Sequence, residues 1–519
     1  MEWVLPTAVT RIIRILHEEG YPAYVVGGSV RDYLRGLQPH DWDICTAAPV
    51  ERIAEIFKAK GYGIAPTGMN FGTVTVLDKH TPYEITVFRK KSDFLNPRPK
   101  ERRSEPYEVL LSEHPLFNGL SPDRISLENA VNPLADFSDL RAESLASLAQ
   151  ISNPRGRFRP MPHIPYDDPR ADSPLYEDLG LRDFTINAIA YSPQEGFIDP
   201  YGGRQDIEDG ILRCPGLAED RLREDPLRIL RALRFAADFG FAIHYDLGET
   251  IHRMYASVGK VAVERITGEI LRFMDASGVR IATLLREYVD VFCYIMPELR
   301  PMVGFDQRNH NHVYDVWEHT LKVMEACKVK DRVLKFAILF HDTGKPHVFN
   351  VDDRGVGHFY GHAIVSCQIA RQVADRLRLE KNMTHEISAL VEVHDARVEG
   401  NTRSLRNWIN RIGLEQFKRL LIIKRCDSAG QNPYYWPSRE EYIHSLELAF
   451  EEVMTQENTC YSLQTLAVNG RDVMKLGYRE AGIGRCLKRL LNEVLNERLP
   501  NDKKILLRQA KIWKKEEEE

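Results

Sequence analysis

The stretch that most constrains the fold is residues 24–46, which read YVVGGSVRDYLRGLQPHDWDICT. Its first three residues are apolar and favour a β-strand. Gly27 and Gly28 then predict a turn, because glycine adopts conformations that other residues avoid. Ser29 is a suitable N-cap for a helix over 30–35. A glycine turn between a strand and a helix N-terminus presents free backbone N–H groups, so this stretch predicts a phosphate site.

Two carboxylates, Asp41 and Asp43, close the same stretch. If both lie on a strand, residues i and i+2 point to one face, so the carboxylates are neighbours. Like charges at short range are unfavourable unless a cation lies between them. A glycine turn alone, or an Asp-x-Asp pair alone, is more often without catalytic function. Their combination in this order predicts a Mg²⁺ site beside a triphosphate site.

The composition describes an ordinary protein of several domains. A chain of 519 residues exceeds a single compact core, so two to four domains are expected. The net charge of −5 does not indicate a nucleic-acid binder, so an RNA surface has to be a local patch of Lys and Arg. The eight cysteines are scattered without a CxxC pair, which favours reduced thiols in the cytoplasm. No apolar run approaches membrane-spanning length, so no membrane partner is expected.

Two strands are predicted next, at residues 72–77 and 83–88. Glu84 in the second strand is either a further site carboxylate or a polar residue on an exposed face. From about residue 94 to 172 the sequence is rich in proline and arginine and has no sustained periodicity. This composition predicts a long surface loop.

Helices are predicted beyond this loop. The apolar residues around Asn187 predict a packed helix over 181–191, and residues 219–241 predict one amphipathic helix. On that second helix Asp225 and Arg228 are three residues apart and share a face. Such a pair is usually a surface salt bridge.

A second group of chemically active residues lies between 306 and 427, on successive predicted helices. A buried histidine is usually a hydrogen-bonded core residue, but a series of them with aspartates is difficult to explain in that way. Imidazole and carboxylate together suit a divalent ion such as Mn, Fe, Ni, Zn or Mg, which lowers the pKa of bound water toward attack on phosphorus. The residues concerned are His319, His341, Asp342, His362, His394 and Asp427.

The order of apolar strand, GGxVRD, short helix and DxD resembles the head of class II tRNA CCA-adding enzymes and the related bacterial poly(A) polymerases. This resemblance implies an α+β fold, in which a mixed-sheet nucleotidyltransferase head precedes an all-α neck, body and tail. The predicted domains are a head at 1–205 with the insertion at about 94–172, a neck and start of the body at 206–305, an HD domain at 306–430 and a tRNA-binding tail at 431–519.

The resemblance also implies roles for single residues. Asp41 and Asp43 hold Mg²⁺, and Glu84 completes a catalytic triad with them. The implied nucleotide-binding residues are Gly27, Gly28, Ser29, Arg31 and Arg182 at the phosphates, Asp183 and Asn187 at the sugar, and Asp225 and Arg228 at the base, with Arg231 and Arg234 extending the basic side. The chain departs from the family pattern at Leu181, where an arginine is usual.

The second group of residues resembles the HD-domain phosphohydrolases. His319, His341, Asp342 and Asp427 match the core metal ligands of that family, and His362 and His394 match ligands of a second ion. In CCA-adding enzymes that carry such a domain, it is associated with 2′,3′-cyclic phosphodiesterase and phosphatase activity on RNA ends.

The implied reaction is the addition of CMP and AMP, from CTP and ATP, to a tRNA 3′ end without a nucleic-acid template. The tail is expected to hold the acceptor stem and elbow of the tRNA. Three alternatives stay open at this point. The chain adds only CC or only A, it is a poly(A) polymerase, or it is a tRNA-binding protein whose HD site is its only active centre.

Overall fold

The computed structural model describes residues 3–65, 68–69, 72–79, 81–90, 106–108 and 172–518. The chain divides into two compact units, the first formed by Met1–Ala276 with Thr283–Ile295 and the second by Ser277–Ala282 with Met296–Glu519. Apart from residues 106–108 and 172, the predicted insertion lies outside the described residues. The division into head, neck, HD domain and tail stays a prediction.

A mixed sheet forms the centre of the first unit. Its strands are β1 (Ala23–Val26), β2 (Asp43–Thr46), β3 (Gly63–Ala65), β4 (Thr73–Asp78), β5 (Thr81–Val87), β6 (Ala190–Ser192) and β7 (Gly196–Ile198). Their spatial order is β3-β4-β5-β2-β1-β6-β7. Strands β2 and β5 run parallel, and the other neighbours are antiparallel. The pair predicted at 72–77 and 83–88 is therefore present as β4 and β5.

Along the chain, the helices of the first unit are interspersed with the sheet strands and continue beyond β7. They are α1 (Thr7–Glu18), α2 (Gly28–Leu34), α3 (Val50–Ala59), α4 (Pro174–Gly180), α5 (Gly203–Asp209), α6 (Ala218–Glu224), α7 (Arg228–Phe239), α8 (Tyr245–Met254), α9 (Val263–Phe273), α10 (Gly278–Glu287) and α11 (Val289–Ile295). Two short strands, β8 (Ile211–Leu212) and β9 (Ala242–Ile243), pair in parallel beside them. Helix α10 also contributes residues to the second unit.

Both faces of the central strands are covered, which explains why β1 is apolar at every position. Val25 and Ile44 pack in one cluster with residues of α1 and α3, whereas Tyr24, Val26 and Cys45 pack with residues of α4. Successive side chains of a strand point to opposite faces, so a strand buried on both sides reads as a continuous apolar run. The predicted α+β head is thus confirmed.

The second unit is largely helical. Its helices are α12 (Val316–Ala326), α13 (Arg332–Phe340), α14 (Lys345–Val348), α15 (His362–Arg376), α16 (Lys381–Val393), α17 (Thr402–Ile412), α18 (Leu414–Ala429), α19 (Trp436–Thr455), α20 (Gly470–Met474), α21 (Ala481–Leu495) and α22 (Lys503–Glu518). Strands β10 (Asn350–Val351) and β11 (Gly357–His358) form a small antiparallel pair. In the described part of the chain, no helix is long and apolar enough to cross a bilayer.

Two predicted helices differ in the structure. The helix expected over 219–241 is broken into α6 and α7, because Pro226 disfavours helical geometry at the residue before it. Asp225 is accordingly extended, with φ −145° and ψ 98°. The helix expected over 181–191 is replaced by a 3₁₀ turn at Thr185–Asn187 and by strand β6, because the apolar residues there are buried by pairing with β1.

Candidate active site and metal centre

The glycine turn brings the start of α2 against two polar side chains. Gly27 is the N-cap of α2, with φ 72° and ψ −132°, a conformation that strongly favours glycine. A Cβ at Gly27 would lie 3.2 Å from Nη1 of Arg182 and 3.3 Å from Oδ2 of Asp43. The prediction that Ser29 is the N-cap is wrong, because the turn at Gly27 lets the helix begin earlier. Ser29 instead lies in the first turn, where its Oγ donates to the carbonyl of Val26 (3.1 Å).

The sequence predicted that the two aspartates of the DxD motif share a strand. This prediction is wrong. Strand β2 begins at Asp43, which pairs with Val26 of β1, and Asp41 lies in the preceding loop and is exposed. Glu84 stands directly opposite Asp43 in the parallel strand β5. Because side chains at paired positions of parallel strands point to the same face, Glu84 and Asp43 lie side by side.

The carboxylate of Asp43 is in an environment that a cation would favour. Burial raises its pKa above the usual range, and the negative charge of Asp41 adds to this effect. Arg182, Arg89 and Arg31 act in the opposite direction without reversing it. A divalent ion would relieve the repulsion between the aspartates, so these donors fit a divalent cation.

Arg182 is fixed by a residue that the sequence analysis missed. Asp178, whose side chain is fully buried, accepts hydrogen bonds from Nη2 (3.0 Å) and Nε (3.2 Å) of Arg182. Its other oxygen accepts from the backbone N–H of Arg89 (3.0 Å). The i, i+4 spacing of Asp178 and Arg182 was the available signal. The salt bridge aims a buried guanidinium at Gly27 and Asp43.

We expect Asp178→Asn to lower the free energy of unfolding by about 3 kcal/mol, because it leaves the buried charge of Arg182 without its partner. Urea denaturation measures this loss. Binding of a phosphate-bearing ligand at the turn should weaken as well, since Arg182 loses its fixed orientation. Glu177→Gln, on the same helix, is the matched control, and an equal loss of stability in both variants would contradict the prediction.

A polar network connects α2, the 3₁₀ turn and α7. Arg31 donates from Nη1 to Oδ1 of Asn187 (2.8 Å), and Nδ2 of Asn187 donates to Oδ1 of Asp183 (2.9 Å). Arg231 donates from Nε to Oδ2 of Asp183 (3.0 Å). Burial alone would raise the pKa of Asp183, but the charge of Arg231 and the hydrogen bonds from Asn187 and Arg231 lower it to about 2. The structure thus brings together four of the predicted nucleotide-binding residues.

The predicted base-selecting pair is arranged differently from the expectation. Asp225 lies outside both helices and forms a salt bridge with Arg265 of α9 (2.8 Å). Arg228 is the first residue of α7, is buried, and donates to the carbonyl of Leu181 (2.8 Å) and to Glu224 (3.0 Å). The break at Pro226, rather than a shared helix face, therefore sets their positions.

Arg234 is linked to the polar network through Glu269, whose Oε1 also lies 3.8 Å from Nη1 of Arg231. Its Nε donates to Glu269 of α9 (2.5 Å), and its Nη1 donates to Asp238 (3.2 Å). The guanidinium is buried. These contacts place Arg234 between two helices, where it holds α7 against α9.

Two clusters of metal-type ligands lie in the second unit. Among the described residues, His319, His341 and Asp427 form one, and Asp342, His362 and His394 form the other. The ligand atoms of each cluster all lie within 4.8 Å of one another. Helices α12, α15 and α18 carry His319, His362 and Asp427, while the other three residues follow the ends of α13 and α16.

The hydrogen bonds of the four histidines leave one ring nitrogen of each available to bind a cation. Each ring directs Nδ1 at a backbone carbonyl: His319 at Gly430 (2.9 Å), His341 at Ile338 (2.7 Å), His362 at Phe359 (2.9 Å) and His394 at Val391 (2.7 Å). A carbonyl only accepts, so Nδ1 is the donor, and in the neutral ring Nε2 keeps a lone pair.

These lone pairs converge. Nε2 of His319 lies 3.4 Å from Nε2 of His341, and Nε2 of His362 lies 3.3 Å from that of His394. Two acceptors at such distances repel each other unless a proton or a metal ion lies between them. Orientation of a ligating histidine by a hydrogen bond from its other nitrogen is typical of metal sites. The donor set therefore fits divalent ions.

Asp342 is shared by the two clusters. Its Oδ2 lies 3.2 Å from His341 and 3.4 Å from His319, and its Oδ1 lies 3.4 Å from His362. Lys345 contacts Oδ2 at 2.7 Å. Although burial favours the neutral acid, the interactions with His341 and Lys345 hold the pKa of Asp342 well below its usual range. One ionised carboxylate therefore faces both groups of imidazoles.

The fold and these two sites define a nucleotidyltransferase head combined with an HD-type metal centre. The sequence matches the Poly A polymerase head domain over residues 23–213 and the HD domain over residues 309–429. Both domains use divalent metal ions. The chain belongs to the tRNA nucleotidyltransferase family, as its similarity to curated proteins shows.

It is 30% identical over 313 residues to the A-adding tRNA nucleotidyltransferase of Deinococcus radiodurans, covering 58% of this chain and 70% of that protein. It is 29% identical over 326 residues to the CCA-adding enzyme of Ligilactobacillus salivarius, and the match covers 62% of this chain and 63% of that protein. The chain thus spans less than two thirds of the length of this relative. The CCA-adding enzyme of Bacillus stearothermophilus, solved in complex with CTP, shares the fold with a TM-score of 0.56, 23% identity and 98% coverage of both chains.

Proposed function

We propose that this chain adds CMP and AMP to the 3′ end of tRNA, using CTP and ATP. The observation that carries the proposal is that Asp43 and Arg182 lie against the turn at Gly27, with Glu84 paired opposite Asp43 in the adjacent strand. The relative named as a CCA-adding enzyme supports addition of both nucleotides, and the relative named as an A-adding enzyme supports addition of A. The tRNA is the acceptor, with its acceptor stem and elbow held by the helical tail.

Asp41 and Asp43 would hold Mg²⁺, with Glu84 beside them to orient the attacking 3′-hydroxyl. When bound, Mg²⁺ supplies charge neutralisation for the leaving pyrophosphate and activates the attacking oxygen. Gly27, Gly28 and Ser29 leave room for the triphosphate close to the backbone. Arg31 and Arg182 offer positive charge to it.

On this proposal, the network of Asn187, Asp183 and Arg231 seats the sugar. Asp183 is ionised at neutral pH, since its pKa is about 2, and it accepts hydrogen bonds. Its place beside Arg31 puts the sugar position next to the triphosphate position. These residues orient the nucleotide rather than take part in bond making.

Asp225 and Arg228 are proposed to choose the base. An aspartate acceptor and an arginine donor can read the pairing edge of C and A, which both carry an exocyclic amine, and reject U and G. Their supporting contacts are the salt bridge from Arg265 and the carbonyl of Leu181.

We expect Arg228→Ala to reduce the preference for CTP and ATP over UTP and GTP by about 10-fold or more, which is the effect of losing a charged hydrogen bond. The ratio of kcat/KM values measures this change independently of lost stability. Arg223→Ala is the matched control, because Arg223 is exposed and pairs with Glu219 on the same helix. If Arg228→Ala leaves the preference intact, the base-reading role is wrong.

A second activity is proposed for the HD centre, namely hydrolysis of phosphoesters on RNA ends. The four converging Nε2 atoms and the shared carboxylate of Asp342 support it. His319, His341, Asp342 and Asp427 would hold one ion, and His362 and His394 with Asp342 a second. Mn, Fe, Ni, Zn or Mg suits these ligands. We also place the chain in the cytoplasm, where its eight buried free thiols stay reduced.

The test uses three tRNA transcripts that end before CCA, after C and after CC. Each receives the purified chain, Mg²⁺ and CTP, ATP or both, and products are read at nucleotide resolution. With both nucleotides present, we expect three, two and one additions to these transcripts, respectively, after which addition stops. Addition of A alone to the CC-ended transcript would match the Deinococcus radiodurans relative and overturn full CCA addition. Long A tails would indicate a poly(A) polymerase, and no addition would leave the HD centre as the only activity.

A further inference from the structure

An aromatic cluster, formed by Trp3, Tyr33, Trp42, Tyr191 and Phe197, includes the residue that separates the two aspartates of the DxD motif. The ring of Trp42 stacks on that of Trp3, with centroids 5.6 Å apart and planes inclined by 29°. Trp3 is 6% exposed, so its ring is part of the core of the first unit. Neither tryptophan has a role in the function proposed above.

Trp3 is itself held from three sides. Its ring stacks on Tyr33 of α2 at 4.2 Å and on Phe197 of β7 at 6.1 Å. The hydroxyl of Tyr191 on β6 donates to the carbonyl of Trp3 (2.9 Å). The wall against which Trp42 packs is therefore fixed to a helix and to two strands.

The backbone around Asp41 lacks comparable support from the sheet. The pairing of β2 with β1 and β5 begins at Asp43, and no backbone hydrogen bond of Asp41 or Trp42 is found within the described residues. Among the described residues, Trp42 anchors the loop next to Asp41 by stacking on Trp3 and by packing against the core of the first unit. Aromatic pairs of this kind contribute orientation as well as buried area.

We propose that Trp3 and Trp42 are positioning residues that set the distance between the carboxylates of Asp41 and Asp43, and so the affinity of the head for its divalent ion. The inference rests on the proposed role of the two aspartates. Trp3 acts through Trp42 and touches no reacting group. Because Tyr33 follows Arg31 on α2, the same stack also fixes the helix that carries a phosphate-facing arginine relative to the metal ligands.

The test measures Mn²⁺ binding to the full chain in the presence of CTP by electron paramagnetic resonance. Ions bound by the wild type but not by Asp43→Asn define the head site, which separates them from the HD centre. We expect Trp3→Ala and Trp42→Ala to weaken Mn²⁺ binding at the head roughly 10-fold, the range seen when support of a metal ligand is lost. Trp3→Phe keeps a stacking ring and should bind nearly as the wild type does.

A control variant distinguishes positioning from general loss of stability. Phe57→Leu disturbs the same apolar core, at an edge-to-face contact with Tyr62, away from residues 41–43. Normal Mn²⁺ binding in Trp3→Ala, or an equal loss in Phe57→Leu, would overturn the inference, as would the absence of any ion at the head of the wild type. If the Mn²⁺ affinities are as expected but the chain adds no nucleotides, only the proposed reaction is refuted.

Discussion

Replacing Asp43 by asparagine is expected to lower the rate of nucleotide addition by on the order of 10³-fold, a loss of several kcal/mol of transition-state stabilisation. Of the two proposed metal ligands in the head, Asp43 lies on a strand that is paired on both sides, where its neighbours are Val26 and Glu84. Asparagine keeps the shape of the side chain but removes its charge, so the affinity for a divalent cation falls while the fold is preserved. Nucleotide incorporation at saturating CTP and Mg²⁺ measures the effect.

Phosphoester hydrolysis by the same variant provides the internal control. The HD ligands belong to the second unit, so Asp43→Asn should leave hydrolysis at the wild-type rate. Asp78→Asn, which removes a carboxylate at the end of β4, should affect neither reaction. If Asp43→Asn loses both reactions together, the assignment of two chemistries to two sites is wrong.

The second large effect is expected for Asp342→Asn. This change should remove the metal from the HD centre and lower the rate of hydrolysis by on the order of 10³-fold. Asp342 faces both clusters, so its charge serves both proposed ions. His362→Ala touches only the second cluster and should therefore reduce metal content by about half. Elemental analysis of the purified variants measures the stoichiometry, and a cyclic nucleotide substrate reports the hydrolysis.

Nucleotide addition by Asp342→Asn should stay at the wild-type rate. Asp352→Asn is the matched control, because Asp352 binds His358 (3.0 Å) and belongs to neither cluster. A variant at Asp342 with full metal content would contradict the shared-ligand arrangement. Loss of all metal in His362→Ala would indicate that the two positions do not fill separately.

Local patterns in the sequence predicted the parts of the fold that depend on neighbouring residues. The strand and glycine turn at residues 24–28 and the strand pair around Glu84 follow from apolar runs and from glycine, and the structure contains both. The six HD residues could be selected because histidine and aspartate recur on successive predicted helices. Their convergence into two clusters depends on packing between distant segments and is visible only in three dimensions.

The errors also have physical causes. Ser29 was predicted as the cap because serine is a common N-cap, but positive φ at Gly27 started the helix sooner. Pro226 was present in the sequence, yet the apolar period of the surrounding residues continued across it and concealed the break. Trp3 and Trp42 are far apart in the chain and match no motif, so periodicity alone could not indicate their contact. Asp178 was overlooked for a similar reason, since its role as the partner of Arg182 depends on the burial of both side chains.

The salt bridge between Asp225 and Arg265 has an evolutionary consequence. On the proposed role of Asp225, the orientation of a base-reading carboxylate depends on a side chain 40 positions later in the sequence. A substitution at residue 265 could therefore alter which nucleotides are accepted while every residue in contact with the base stays the same. Divergence between relatives that add different nucleotides has a route through this supporting helix, and selection acting on α6 and α7 would be coupled to selection acting on α9.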